Sequence, residues 1–448
     1  MQPIVVDHTR IGAAFRRLSI PVAIQMLGDQ LLGTVDTIAI GSLGAVALAG
    51  ATAANTVFIA IVFAVSGFMS GTSIVAAQRI GAGDVAGFAR SVRAGVVVPL
   101  LVGIACFAAS LAVAGPTIHA LIGALPSAHA SAVYLVLRCA SIVPIVISGT
   151  LIVGLGAAGN RQIGIFVLVV VNLIHIPLLL MLGLGWWTHH PLGIVGAGVS
   201  SLLSETIAAA CAIIYVARRP AYRIFAEKGI AWTLARRCAK LGLPESIFLL
   251  GVTVPDICIV AMLAPLGAIF VAAFRALNVV SDLTFVVPAP LQQATQVVIG
   301  QRLGARDPRG ARWFFDRSLR FSLVVTTLSG AIAACLAWPL AYVFTLNAAV
   351  ATIAALPLAL HMATLPLKGW AMLSLAPIRA SGDTRFSMTV GILCSALVIP
   401  LAWIGIERLH LGLYSVPLGW IAAWAVRALL TQWKLRDGAW MRRAPLAA

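Results

Sequence analysis

Long apolar runs alternate with short polar, mostly basic segments along the whole chain. Twelve such runs fall near residues 14–41, 46–78, 94–115, 131–155, 162–185, 191–217, 241–264, 268–300, 318–344, 352–377, 386–406 and 411–432. Each approaches or exceeds the roughly 20 apolar residues that a helix needs to cross a bilayer. A backbone in lipid must satisfy its own N–H and C=O groups, so runs of this length predict helices. The expected fold class is all-α and polytopic: twelve transmembrane helices.

Composition strengthens the picture. Of 448 residues 61% are hydrophobic and 10% charged, against about 25% charged in soluble domains. The mean hydropathy is +1.02. The net charge of +17 invites a nucleic-acid reading, but its placement answers otherwise. With the N-terminus inside, nearly all Lys and Arg lie on inner segments: Arg16 and Arg17, Arg79, Arg90 and Arg93, Arg218 to Lys240, Arg302 to Arg320, Arg379 and Arg385, and Lys434 to Arg443. The outer loops hold one, Arg408. This asymmetry predicts both termini in the cytoplasm and basic loops facing anionic lipid. The first run is too long for a signal-peptide core. The seven Cys lie mostly in apolar runs without CxxC or metal spacing and read as packing residues.

The two halves repeat at a constant offset of 223 residues. Leu18 and Pro21 fall on Leu241 and Pro244, LGA at 43–45 on LGA at 266–268, Asn55 on Asn278, and QRIGAGD at 78–84 on QRLGARD at 301–307. Pro116, Gly159, Pro177 and Gly196 fall on Pro339, Gly382, Pro400 and Gly419. Each half carries six spans, an even number, so the repeat is parallel and related by an axis along the membrane normal. The expected organisation is an N-lobe at 1–217, a basic cytoplasmic linker at 218–240 that is partly an amphipathic helix, and a C-lobe at 241–448.

Pro21 followed by Asp36, then GSLGAVALAG and AAQRIGAGD, with GQRLGARD and IRASGDT in the second half, resembles the MATE (multidrug and toxic compound extrusion) family over nearly the whole chain. The resemblance implies a two-lobed, twelve-helix exporter driven by H⁺ or Na⁺. It is closer to the DinF-like than to the NorM-like branch. In the fifth span Asn172 matches the DinF-like pattern, but Ile176 stands at the acidic position that follows it, with His175 beside it. The NorM-like acids of spans 7 and 10 are replaced by Val252 and Lys368. Asp36 is retained, which places ion coupling in the first half and weakens a Na⁺ cage of Asp36, Asn172 and Ser201.

Ionisable groups inside spans are costly and point to function. Asp29 and Asp36 are seven residues apart, two turns or about 10 Å of rise, and project from nearly one face. Asp36 is expected to carry the proton, with Asp29, Asn172 and Glu205 around it. Pro21 removes a backbone bond in the same helix and permits a hinge. A cargo-lining set is expected from Asp256, Asn278, Asp282, Gln293, Gln296, Lys368 and His175. Asn278 to Gln296 fall with Arg275 on one stripe of span 8, interrupted by Pro288 and Pro290; Arg275 either pairs with Asp282 or snorkels to the outer end. Lys368 either neutralises Asp256 or Asp282 or meets an acidic cargo group. Glu245 suits a helix N-terminus, and Asp84 and Asp307 are expected to order turns beside arginines.

No Walker A, HExxH, GxSxG or TVGYG pattern occurs, which argues against an ATPase, a zinc or serine hydrolase and a potassium filter. The expectation is a monomeric exporter of small amphipathic compounds in a bacterial inner membrane. It has no enzymatic activity, cofactor or nucleic-acid partner, and exchanges cargo for protons through Asp36. The alternatives are a flippase for lipid-linked or polysaccharide precursors, for which Lys368 and Arg138 speak, and a passive channel or membrane sensor.

Overall fold

The computed structural model describes residues 11–123, 125–187, 189–226 and 229–442, with side chains from residue 17 onward. Arg443, the side chain of Arg16 and the part of the linker at 227–228 lie outside this description. Seventeen α-helices are described: α1 (Ile11–Gly41), α2 (Ala45–Gly81), α3 (Val85–Ile122), α4 (Ala128–Ala157), α5 (Gln162–Leu178), α6 (Gly193–Ala217), α7 (Trp232–Gly251), α8 (Val254–Leu263), α9 (Ala268–Phe285), α10 (Pro288–Gly304), α11 (Pro308–Cys335), α12 (Ala337–Thr345), α13 (Ala348–Ala363), α14 (Leu365–Ala380), α15 (Thr384–Trp403), α16 (Ser415–Arg436) and α17 (Ala439–Arg442). Among the described residues, 11 helical stretches are long and apolar enough to cross a membrane. They become 12 when α13 and α14, bent by 41° at Thr364, count as one span.

Prolines explain why several spans are built from two helices. Span 7 divides into α7 and α8 ahead of Pro255, and span 8 into α9 and α10 ahead of Pro288 and Pro290. Span 10 breaks one residue before Leu365, with Pro366 in the first turn of α14. Each proline lacks an N–H and crowds the preceding turn. The polar stripe expected along span 8 is shared between two helices. Arg275, Asn278 and Asp282 ride on α9, whereas Gln293 and Gln296 ride on α10.

Helix ends also depart from hydropathy limits. Spans 3 and 9 read as starting near 94 and 318, yet α3 and α11 begin at Val85 and Pro308. The extra turns are nucleated by Asp84 and Asp307, whose carboxylates accept from Gly87 N at 2.6 Å and Gly310 N at 2.8 Å. Each acid also pairs with the preceding helix, Arg79 with Asp84 at 2.6 Å and Arg302 with Asp307 at 2.8 Å. Burial pushes the Asp84 carboxyl up, but the Gly87 N–H and Arg79 outweigh it and hold it below the usual range.

The repeat extends to backbone detail. Left-handed residues recur at the 223-residue offset: Gly44 and Gly267, Gly123 and Leu346, Gly159 and Gly382, Trp187 and His410, His189 and Gly412, and Gly83 and Arg306. Arg306 takes φ 57° where its counterpart Gly83 has φ 75°. The cores repeat too. Ala114, Ile118 and Leu135 occupy the same buried positions as Ala337, Ala341 and Leu358, and Phe88, Leu155 and Ala157 the same as Ala311, Ile378 and Ala380.

Contacts divide the chain into two compact units. The first holds 24–246, and the second holds 247–448 together with the stretch of α1 before Ile24. Both changes of unit fall inside a helix, two residues after Pro21 in α1 and two after Pro244 in α7. In the second unit Leu18 is buried in the core beside α10 and α11, and Ser19 Oγ donates to Pro290 O at 3.4 Å. In the first unit Ser246 Oγ donates to Ala64 O at 2.5 Å. There α7 meets α2 backbone to backbone. A Cβ on Gly67 would reach Ser246 N at 2.2 Å, one on Gly71 Cys238 O at 2.2 Å, and one on Gly242 Phe68 Cα at 2.5 Å. Small residues permit this approach, the main route to helix association in lipid.

Gly242→Val should therefore force α7 off α2 and cost about 3 kcal/mol, read as a lower unfolding midpoint in detergent. Arg306→Gly should raise the midpoint slightly, by about 0.5 kcal/mol, because it relieves a left-handed side chain at some entropic cost. Asp84→Ala should remove about 1 kcal/mol of capping. Since the folded Asp84 carboxyl is depressed, that difference should be present above about pH 4 and fade as pH falls through its folded pKa.

Candidate functional site

The first unit gathers its ionisable groups where α1, α4, α5 and α6 present polar side chains. His175, in the last turn of α5 and 2% exposed, reaches across 139 residues to Asp36 of α1. Its Nε2 lies 2.6 Å from Asp36 Oδ1. On the other side of the ring Nδ1 lies 3.4 Å from Ser204 Oγ of α6. Ser204 Oγ also donates to Ser201 O at 3.0 Å.

The sequence placed Asn172 beside Asp36 and His175 among cargo contacts; in the structure the residue bonded to Asp36 is His175. Asn172 Nδ2 donates to Leu168 O at 2.9 Å, within its own helix, while His175 makes the bond to Asp36. Ser201 Oγ donates to Ala197 O at 3.1 Å. Glu205, half-buried on α6, is within electrostatic reach of Arg138, Asp29 and His175, and buried Tyr134 within reach of Arg138 and Asp36. Asp29 is surface-accessible. Arg138 stacks over Phe58, its guanidinium carbon 3.9 Å from the ring centroid. Ser204 was not foreseen. Its signal was the small polar set Ser200, Ser201 and Ser204 leading to Glu205 and Thr206 on a mostly apolar helix. Among the described residues no group of three or more His, Cys, Asp or Glu is arranged to hold a metal ion.

The second unit holds a different set. Asp256 opens α8, Asn278 and Asp282 lie on α9, and Lys368 lies in the first turn of α14, 7% exposed. No ion pair joins Arg275 to Asp282, or Lys368 to either acid, among the described residues. Lys368 stays within electrostatic reach of both acids, and its ammonium sits over Phe285 at 4.8 Å and Trp424 at 5.9 Å. Gln296 is buried and Gln293 exposed on α10. At the position equivalent to Arg138 stands His361, whose Nε2 lies 3.1 Å from Ser281 Oγ, and Ser281 is the equivalent of Phe58.

A duplicated six-span membrane unit with a carboxylate–imidazole pair in one copy, its imidazole buried and its carboxylate half-buried, fits a helical transporter scaffold. The MatE family model matches residues 21–181 and again 244–404, two segments displaced by 244 − 21 = 223 residues. The chain belongs to the MatE family of transporters. It is 30% identical over 328 residues, 71% of this chain and 68% of the relative, to a probable multidrug resistance protein NorM of Rhizobium meliloti. It is 27% identical over 424 residues, 90% and 88%, to a probable NorM of Bradyrhizobium diazoefficiens. The fold matches a MATE crystal structure in the bent conformation with TM-score 0.87 at 23% identity, covering 96% of both chains. It also matches a MOP superfamily transporter from Pyrococcus furiosus with TM-score 0.85 at 23% identity, covering 95% and 96%. These curated relatives carry NorM names; the DinF-like affinity rests on the pattern at Asn172, Val252 and Lys368 alone.

Asp36→Asn and His175→Gln should each destabilise the protein, and the double variant should lose less than the sum. A coupling of about 1–2 kcal/mol is expected from a double-mutant cycle of unfolding midpoints. Additive losses would mean the two side chains do not act as a pair.

Proposed function

We infer that this protein is a proton-coupled exporter of small amphipathic organic compounds. The observation that carries the reading is the 2.6 Å contact between Asp36 and His175. A carboxylate paired with a base can gain or lose a proton inside the span at low cost, which a proton-driven antiporter requires. Family membership and the multidrug-resistance names of the relatives support the cargo class.

In the proposed cycle the Asp36–His175 pair is proton-poor in the cargo-loaded, inward-open state. Proton entry from outside neutralises it, α1 bends near Pro21, and cargo leaves. Pro21 suits a hinge because the contacts of α1 pass from one unit to the other just beyond it. The lobes at 1–217 and 241–448, joined by the 218–240 linker, are the moving bodies. Asp29 and Glu205 tune the pair. Asn278, Asp282, Gln293, Gln296 and Asp256 line the cargo path. The imidazole against the Asp36 oxygen favours H⁺ over Na⁺, since a sodium cage through Asp36, Asn172 and Ser201 needs oxygen ligands there. The protein works as a monomer in the inner membrane with both termini cytoplasmic, without cofactor or enzymatic activity.

In proteoliposomes an imposed pH gradient should drive uphill dye accumulation and a coupled proton flux. Asp36→Asn should abolish both, and His175→Ala should slow transport by about tenfold. Replacing Na⁺ by choline at fixed pH should change nothing. Full pH-driven transport by the Asp36→Asn protein would overturn the assignment, and equilibration without accumulation would point to a channel.

A further inference from the structure

Arg161 is a buried cation that the proposed transport cycle does not use. It stands in the turn between α4 and α5, one residue before the fifth span begins at Gln162. Only 9% of its surface is exposed. Its guanidinium lies against the last turn of α4, where a Cβ on Gly156 would come within 3.1 Å of Nη1 and 3.2 Å of Cζ and Nε. The carbonyl end of a helix suits a positive charge, but these carbonyls are already hydrogen-bonded. Gly154 O, Leu155 O and Gly156 O accept from the N–H groups of Ala158, Gly159 and Asn160 at 2.9–3.3 Å. Arg161 Nε is sealed from solvent without an acceptor. Among the described residues no hydrogen bond or ion pair reaches the side chain. Burial pushes the guanidinium down to about 10, and no described acid offsets it. Five N–H donors on a group that stays charged are left without an anion.

The second copy shows what is missing. At the 223-residue offset Asn160 answers to Asp383 and Ile163 to Phe386. One oxygen of Asp383 accepts from Phe386 N at 3.4 Å, and the other faces Lys434 Nζ at 3.7 Å. That single carboxylate serves a helix start and a cation together. Asp84 and Asp307 do the same at the starts of α3 and α11. The turn before α5 alone of these four lacks the acid, and no side chain caps the helix. Asn160 would be a competent cap, but its Nδ2 is turned to Tyr222 Oη at 3.1 Å and Tyr215 Oη at 3.4 Å. The 17-residue α5 is a true helix start, reached through a turn in which Gly159 takes φ 88°.

We propose that Arg161 and the first turn of α5 form a binding site for a phosphate group. The phosphate takes the place that the Asp383 carboxylate holds in the second copy. Its oxygens accept from the guanidinium, whose paired donors match them two at a time, and from the uncapped N–H groups of α5. Two sources carry this chemistry, an anionic lipid headgroup and a soluble phosphate ester. The edge of the fifth span is the depth at which headgroups lie. Tyr222 of the linker joins Asn160 to Phe88 in the first turn of α3, with ring centroids 6.3 Å apart, so the site shares its end of the unit with Arg79 and Arg90. It lies wholly within the first unit, and binding there is independent of what drives transport.

The test is native mass spectrometry of the full chain in detergent, with three separate titrations. The probes are phosphatidylglycerol, diacylglycerol, which has the tails but no phosphate, and glycerol 3-phosphate, which has the phosphate but no tails. One phosphatidylglycerol should bind about tenfold more tightly than diacylglycerol, and Arg161→Gln should erase that preference. Arg90→Gln, at an exposed arginine of the same end, should leave it unchanged. Asn160→Asp should also erase it, because a carboxylate at 160 caps α5 and pairs with Arg161 from within the chain. That variant decides should Arg161→Gln fail to purify. Glycerol 3-phosphate binding that depends on Arg161, with no preference between the two lipids, would support the site and assign it to a soluble ester. A lipid preference that survives Arg161→Gln or Asn160→Asp, an equal loss in Arg90→Gln, or no Arg161-dependent binding of either phosphate probe would each overturn it.

Discussion

A carboxylate cannot remain ionised in a hydrocarbon environment without a partner, and the architecture of the first unit follows from that constraint at Asp36. The partner has to come from another helix, at a fixed distance, and with a titratable group. His175 meets all three requirements only because α5 places it in its last helical turn before the π-turn at Leu179–Gly183, and because Ser204 of α6 holds the far side of the ring. The helices α1, α5 and α6 are thereby tied together at one point, and α1 is the helix whose contacts pass from one unit to the other two residues beyond Pro21.

The two repeats share a backbone but not a chemistry. Their left-handed turns, aspartate caps and buried core positions coincide at one offset. Yet the places of Asp36, His175 and Ser204 are taken by Ile259, Val398 and Arg427 in the second copy, and Lys368 answers to Ile145 in the first. Duplication supplied a scaffold whose caps and close helix contacts are indifferent to what the interior carries. Each copy could then specialise, one around an acid and a base, the other around cations set against aromatic rings.

Much of the fold was legible in the sequence because lipid imposes a single rule: long apolar runs must be helices. Twelve spans and the 223-residue repeat followed from that rule and from matched polar residues such as Gln78, Arg79 and Asp84. Helix breaks were harder to place, since Pro21, Pro244 and Pro99 sit inside continuous helices while Pro255 and Pro288 start new ones. Packing decides that outcome, and packing is invisible in a single chain. The candidate site was half legible. The depth of Asp36 in an apolar run marked it, but the choice between Asn172 and His175 as its partner turned on helical phase and on Ser204, 29 residues further along. Lys368 was conspicuous as a charge, whereas its ring neighbours come from α9 and α16 and had no local signature.

The exchange of segments between the units has a consequence for biogenesis. The stretch of α1 before Ile24 leaves the ribosome first but completes a unit whose remainder starts at Ile247. At about 5–20 residues per second, the 223 residues between Ala23 and Ile247 take roughly 10–45 s to synthesise. For that interval the proximal end of α1 lacks the rest of its unit. The first unit is continuous in sequence and complete once Ser246 is made, whereas the second is assembled from the first and last parts of the chain.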